Sequence, residues 1–133
     1  QADVPVLQLS LQERLDPAEH LSIGRALAPL RDEGVLIIGS GMSYHNLREF
    51  FGPNGNEASD AFDDWLTSAL ADPAHRDAAL AAWSQAPGAR RSHPREEHLL
   101  PLMVAAGAAQ GEPGVRTYAD HIMGKAISGF QFG

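Results

Sequence analysis

The sequence predicts an α/β protein with a mixed, largely parallel sheet flanked by helices. Residues Val4–Leu11 alternate leucines with other side chains, and Val35–Gly39 is an aliphatic run that ends at a glycine. Both patterns are typical of strands, the second of a strand buried on both faces. A helix is predicted between them, from about Pro17 to Asp32. This order indicates a βαβ unit, whose two strands lie parallel in one sheet.

Capping signals predict where the other elements begin and end. Asp16 and Pro17 combine an N-cap acid with a proline at the first helical position, and Gly34 closes the helix. Ser59 and Asp60 are expected to cap another helix. We also predict a short helix around Leu47–Phe51 and a helix from Pro73 to about Trp83. A loop is expected over Ser84–Pro94, followed by a buried helix over Arg95–Ala109 that is kinked or shifted at Pro101. The last predicted element is a hairpin of Val115–His121 and Lys125–Phe132 around Gly124.

The composition limits both the size and the partners of the protein. A chain of 133 residues suits one domain, and 10 Lys and Arg against 17 Asp and Glu argue against a nucleic-acid surface. Because cysteine is absent, a metal would need His, Asp, Glu or carbonyl ligands. We expect a cytoplasmic protein without membrane contact, since no apolar stretch approaches the roughly 20 residues of a membrane span. The start at Gln1 without methionine suggests a fragment or a processed product.

The stretch that follows the second predicted strand carries the first candidate catalytic group. Gly39 and Gly41 allow a sharp turn or a close approach of the backbone, and His45 follows them. Ligands bind outside the carboxyl ends of strands in open α/β sheets. An imidazole with a pKa near 6.5 can act there as a general acid or base. The alternative is that His45 is only a polar residue on a glycine loop.

A second concentration of candidate groups begins at His93. Two histidines, His93 and His98, and two carboxylates, Glu96 and Glu97, lie within six residues at the entrance of the predicted buried helix. Such a set could supply metal ligands. The alternative is a solvated helix start whose acids are favoured by the helix dipole. We favour the functional interpretation for His98.

Three motifs in order resemble the class III extradiol ring-cleavage dioxygenases, in particular their DOPA-dioxygenase-like aromatic ring-opening branch. They are residues 4–11 (VPVLQLSL), 30–48 (LRDEGVLIIGSGMSYHNLR) and 93–102 (HPREEHLLPL). The resemblance implies that residues 1–133 are the C-terminal portion of a single catalytic domain about twice as long. It also implies a non-haem Fe(II) site at which a catechol-type substrate and O₂ react.

The resemblance assigns roles to individual residues. His45 matches the family's acid/base histidine, and His98 falls at the position of the metal ligand from the C-terminal half. His93, Glu97 and Ser43 are expected to bind substrate or to support the ligands. Where the protocatechuate branch carries a glutamate, this chain has His98, a change that also suits Zn(II).

The family's other two metal ligands, both histidines, come from the N-terminal half of the domain, which we therefore expect as a partner. Without that half, the chain should bind metal weakly and turn over nothing. Two further classes stay open: a Zn-dependent hydrolase on the same scaffold, and a non-catalytic binding or assembly module. A homo-oligomer also stays open.

Overall fold

The structure of the protein, a computed structural model, describes residues 3–133. Its first helix begins as predicted: Asp16 is the N-cap, and its carboxylate accepts a hydrogen bond of 3.0 Å from the Glu19 N–H. Pro17 occupies the first turn, where a proline removes no helical hydrogen bond. The helices of the described residues are α1 (Pro17–Leu27), α2 (Pro29–Asp32), α3 (Leu47–Phe50), α4 (Asn56–Ala71), α5 (Pro73–Ala81), α6 (Ala89–Ser92) and α7 (Leu100–Ala109), with a 3₁₀ turn over Trp83–Gln85.

The sheet differs from the predicted one. Strands β1 (Gly114–Ile122) and β2 (Lys125–Phe132) form an antiparallel hairpin that turns at Met123 and Gly124, with a register shift between Arg116 and Tyr118. The predicted closing hairpin is therefore confirmed. The largely parallel sheet is wrong for the described residues, whose one sheet is this antiparallel pair.

The two segments predicted as parallel strands have no partner strand among the described residues. Residues 4–11 and 35–39 take no regular secondary structure, and they carry several exposed large apolar side chains. A strand is stabilised by the ladder of its neighbour and by burial of its faces, and the described residues provide neither here. The most exposed of these side chains are Val4, Val6, Leu7, Leu36 and Ile38.

The core lies between the helices and one face of the hairpin. Helix α7 is apolar nearly all round and is covered on one side by α1, where glycines allow the two backbones to touch. A Cβ at Gly24 would lie 2.1 Å from the Val104 carbonyl oxygen, and a Cβ at Gly107 would lie 2.2 Å from that of Leu21. The cluster of buried core residues consists of Leu21, Phe62, Leu66, Leu70, Leu80, Trp83, Ala89, Leu99, Leu100, Met103 and Ala106.

Two helix starts differ from their predictions. Helix α4 begins at Asn56 after Gly55, a glycine at φ 85°, so Ser59 lies inside the helix rather than capping it. Helix α7 begins at Leu100 rather than at Arg95. Pro101 therefore lies in the first turn, where it produces no kink. The preceding residues form turns, and this places His98 before the helix rather than within it.

Two cations are fully buried, and each is held by backbone carbonyl oxygens. The Arg76 guanidinium donates to the carbonyl oxygens of Gln110 and Glu112, which follow the end of α7. The Lys125 ammonium donates to the Gly52 carbonyl at 2.9 Å and to Asn56 Oδ1 at 2.7 Å. Because a buried cation is costly without acceptors, these bonds tie the loops to the core. Among residues 3–133, no helix has the length and apolar character needed to cross a membrane.

Substitution of Gly24 by alanine should destabilise the fold by roughly 1–3 kcal/mol, because its Cβ would overlap the α7 backbone. The higher helix propensity of alanine, worth about 1 kcal/mol, opposes this loss without cancelling it. Urea unfolding measures the difference. Gly111→Ala is the matched control, since a Cβ there meets nothing within 4 Å. Equal stability of the two variants would contradict the close packing of α1 on α7.

Candidate metal and acid/base site

The candidate site forms where the segment that carries His45 crosses the segment that carries His98. The Met42 N–H donates to the His98 carbonyl at 2.9 Å, and the His45 N–H donates to the Ser92 carbonyl at 2.9 Å. Gly41 allows the first of these contacts, because a Cβ there would lie 2.2 Å from the His98 carbonyl oxygen. The two segments are thus joined by main-chain hydrogen bonds on either side of the site.

The imidazole rings of His45 and His98 stack face to face. Their centroids are 3.5 Å apart and their planes are inclined by 18°. The Glu97 carboxylate completes the group: one ligand atom from each of the three residues lies within 4.8 Å of the others. The cluster is half-buried and offers two imidazoles and one carboxylate.

Two atoms of this group are buried without a hydrogen-bond partner among the described residues. They are His98 Nδ1 and Glu97 Oε2. The other carboxylate oxygen of Glu97 lies 3.5 Å from His98 Nδ1. The Arg95 guanidinium lies 3.4 Å from Glu97 Oε2, so a cation already faces one of these two atoms. One ligand atom each of His45, Glu97 and His98 could still hold a metal ion. The residues therefore fit Fe(II) or Zn(II).

The stacking restricts which rings can bind one ion. A metal bound by an imidazole lies in the plane of that ring, about 2.0–2.1 Å from the nitrogen. Two planes that are 3.5 Å apart and inclined by only 18° do not meet close to the rings. In this arrangement the two rings do not point at one ion, so joint binding by His45 and His98 would require one ring to rotate out of the stack.

The pKa of His45 is lowered from its ordinary value of 6.5. Burial is the main cause because it disfavours the charged ring; repulsion from His98 acts in the same direction, and Glu97 opposes both. His45 is therefore unprotonated at neutral pH, the form in which a ring nitrogen can accept a proton.

His93 lies behind the cluster and is fully buried. Its Nε2 lies 2.9 Å from the Ser43 carbonyl oxygen; since a carbonyl only accepts, Nε2 carries the proton. The ring is packed against the edges of Phe62 and Trp83. Burial lowers the pKa of His93 to about 4, although the bond to Ser43 opposes the shift. His93 is therefore neutral at physiological pH.

A cavity of about 740 Å³ opens beside the cluster. It lies between residues 35–43 and strand β2, with α7 on one side, and His98, Ser43 and Ser128 are among its lining residues. The Ser43 hydroxyl accepts a 2.8 Å hydrogen bond from the Ser128 N–H. The Ser128 hydroxyl itself is buried without a partner among the described residues.

The structure thus brings together three of the residues singled out from the sequence, His45, Glu97 and His98, and places His93 and Ser43 directly behind them. Sequence reasoning missed Asn46 and Ser128. The Asn46 side chain caps α3 and donates to the Arg91 carbonyl at 2.8 Å, and Ser128 binds Ser43 from the hairpin. The N-cap pattern at Asn46 was a detectable signal, whereas nothing in the sequence distinguishes Ser128 from other strand serines.

Comparisons with known proteins identify the family of the chain. Residues 1–131 match the family described as the catalytic LigB subunit of aromatic ring-opening dioxygenase. The chain is 44% identical, over 82% of its length, to the 4,5-DOPA dioxygenase extradiol of Beta vulgaris, and 34% identical, over 84%, to that of Escherichia coli. It superposes on the crystal structure of the uncharacterized protein JW3007 of Escherichia coli K12 with a TM-score of 0.80, at 32% identity over 99% of this chain.

The fold is a mixed α/β one, and its cluster of two histidines and one carboxylate could bind a metal ion. The chain is a member of the LigB family of aromatic ring-opening dioxygenase subunits, class III of the extradiol dioxygenases. It spans only part of its relatives: 41% of the Beta vulgaris protein, 42% of the Escherichia coli protein and 57% of the solved structure.

Acid should destabilise the protein through His93. Its pKa is about 4 in the fold and near 6.5 in the unfolded chain, so the unfolded state binds more protons between these values. This contribution to stability is present above pH 6.5 and is lost as the pH falls towards 4, by about 3 kcal/mol in all. Urea unfolding at pH 7, 5.5 and 4.5 measures the loss.

The control for this experiment is His93→Gln, which removes the titrating ring and should flatten the pH dependence. His75→Gln, a change at an exposed histidine, should leave the dependence as it is. A slope that persists unchanged in His93→Gln would contradict the assignment to His93.

Proposed function

We propose that this chain forms part of the active site of an extradiol dioxygenase, which opens a catechol-type ring with O₂ at a non-haem Fe(II) centre. The observation that carries the proposal is the stack of His45 on His98 beside Glu97, in a chain of the LigB family. Several relatives are named 4,5-DOPA dioxygenase extradiol, which supports DOPA-like catechols as the substrate class.

His98 is proposed as the metal ligand and Glu97 as the group that orients it. The Glu97 carboxylate faces Nδ1 of His98 at 3.5 Å. A carboxylate at one ring nitrogen fixes the tautomer and leaves the other nitrogen free to bind a metal. When bound, Fe(II) would supply a positive charge that favours the catecholate and would allow O₂ to react; imidazole suits Zn(II) as well.

His45 is proposed as the acid/base. Its ring lies against that of His98, and its lowered pKa leaves it unprotonated at neutral pH. It would take the proton of a catechol hydroxyl and hold it at a ring nitrogen while the ring is cleaved, with both oxygen atoms of O₂ entering the product. Ser43 and Ser128 line the adjacent cavity, where they can contact substrate.

The N-terminal half of the same domain is proposed as the partner that completes the site. While the rings of His45 and His98 stay stacked, this chain offers one ion a single imidazole and at most one carboxylate, fewer ligands than a metal site usually has. The exposed apolar side chains of residues 4–11 and 35–39, whose backbones lack a partner strand, suit packing against further strands of that half. The chain spans less than half of the curated relatives, which supports this assignment.

Ring opening should require His45, Fe(II) and O₂. A polypeptide that contains both halves of the domain should consume O₂ and form the yellow semialdehyde from DOPA or catechol, while the 133-residue chain alone should not. His45→Ala should lower kcat by roughly 10²–10⁴-fold, the usual contribution of a general base. Oxygen electrode and absorbance readings measure both reactant and product.

His75→Ala is the control for the loss of a histidine, since that side chain is exposed and lies outside the cluster. A chelator should abolish the reaction, and Fe(II) should restore it. Full activity in His45→Ala would overturn the acid/base assignment. Metal-dependent hydrolysis that is indifferent to O₂ would instead identify a Zn-dependent hydrolase.

The pH profile of kcat/KM should show an acidic limb below pH 6.5. The pKa of His45 lies below that value, and the ring must be unprotonated to accept the substrate proton. Activity should therefore fall about tenfold per pH unit once the pH drops below this pKa. An acidic limb above pH 6.5, or one that persists in the residual activity of His45→Ala, would contradict the assignment.

A further inference from the structure

His93 lies where the segment that bears His45 rests on residues 91–93. Three hydrogen bonds hold this contact. Ser92 and Arg91 accept through main-chain carbonyls, at 2.9 Å from the His45 N–H and 2.8 Å from Asn46 Nδ2. Any residue types at positions 91 and 92 would provide those two acceptors. The third bond, from His93 Nε2 to the Ser43 carbonyl at 2.9 Å, is the only one of the three in which residues 91–93 use a side chain.

The His93 ring has little freedom to move. It is fully buried, and it meets Phe62 of α4 at a centroid distance of 5.4 Å and Trp83 of the 3₁₀ turn at 6.0 Å. Its own main-chain N–H donates to the carbonyl of Ala89, the first residue of α6. A donor fixed in this way determines where the Ser43 carbonyl lies, two residues before His45.

The same segment is attached to His98 at its other end. Met42 donates to the His98 carbonyl at 2.9 Å, while Ser43 is bound on its other side by the Ser128 N–H at 2.8 Å. These contacts hold the residues that precede His45, whose ring centroid lies 3.5 Å from that of His98. The hydrogen bond from His93 to the Ser43 carbonyl therefore helps to set the distance and the tilt between the rings of His45 and His98.

The remaining possibility, that His93 itself meets metal or substrate, does not fit its surroundings. Its Nε2 already donates to Ser43, and its Nδ1, which has no partner among the described residues, belongs to a fully buried ring packed against Phe62 and Trp83. His93 is also absent from the group of ligand atoms formed by His45, Glu97 and His98.

We propose that His93 is a positioning residue, whose Nε2–H holds the Ser43 carbonyl and thereby keeps the His45 ring stacked on the His98 ring. The effect of this positioning on catalysis rests on the proposed function, but the geometry of the two rings can be tested without measuring activity. Groups that support a metal site in this way usually contribute 10–100-fold to metal affinity or activity.

The test compares two substitutions of His93, by glutamine and by asparagine, whose side-chain amides extend to different lengths. The side-chain nitrogen of Gln can take the place of imidazole Nε2, whereas that of the shorter Asn takes the place of Nδ1 and does not reach Ser43. In the 133-residue protein, the nuclear Overhauser effect between ring protons of His45 and His98 reports the stacking. We expect it to persist in His93→Gln and to disappear in His93→Asn.

Leu70→Ala is the matched control for simple destabilisation, because Leu70 is a buried core residue at the far end of α4 from Phe62. In Leu70→Ala, the nuclear Overhauser effect between the rings of His45 and His98 should persist. A signal that persists in a folded His93→Asn, or one that is lost in Leu70→Ala as well, overturns the proposal. If His93→Asn does not fold, His93→Gln decides: retention of the signal supports the positioning role and loss of it overturns that role.

A kinetic measurement separates this inference from the proposed function. In a polypeptide active in ring opening, His93→Asn should lower kcat 10–100-fold with little change in KM, and His93→Gln should restore most of kcat. Equal kcat values for the two variants and the unsubstituted protein would overturn the positioning role. Absence of ring opening in the unsubstituted protein overturns the proposed function alone, and the ring-to-ring signal then still decides the role of His93.

Discussion

The site depends on the hydrogen-bonded docking of residues 41–46 on residues 91–98. Neither segment is a regular strand, so neither has a ladder that would fix its position. The docking instead uses single bonds spaced along the chain, at Met42, Ser43, His45 and Asn46. Gly41 makes it possible, because any Cβ would collide with the His98 carbonyl. The candidate histidines His45 and His98 are therefore held by irregular backbone that is anchored on a helical core.

The packing of the core fixes the positions of the two segments that dock on each other. Helix α7 follows directly after His98, and it is fixed by the close approach of Gly24 and Gly107 to opposite backbones. Helix α4 supplies Phe62 to the wall behind His93 and also packs against the hairpin, which reaches Ser43 through Ser128. The two sides of the site are thus connected to one cluster of buried side chains.

Much of this arrangement was predictable from the sequence, namely the features that depend on local chemistry. The Asp16–Pro17 signal correctly predicted a helix start, since capping involves neighbours in the chain, and the predicted helix start at Pro73 was also correct. The closing hairpin was likewise correct. The parallel sheet failed because strand pairing needs a neighbour that the described residues lack. The start of α7 was misjudged because Arg95–Leu99 have helical composition but form turns that place His98.

For the site, residue types identified the cluster but not its geometry. Glycines before His45 and the acids beside His98 indicated chemistry at two places, and their meeting required the fold. The stack then separates the two roles. One ion cannot lie in both ring planes, so a metal on His98 leaves His45 beside a new positive charge. That charge lowers the pKa of His45 further. Metal binding at His98 would thus reinforce the preference for the unprotonated ring of His45 that burial already produces.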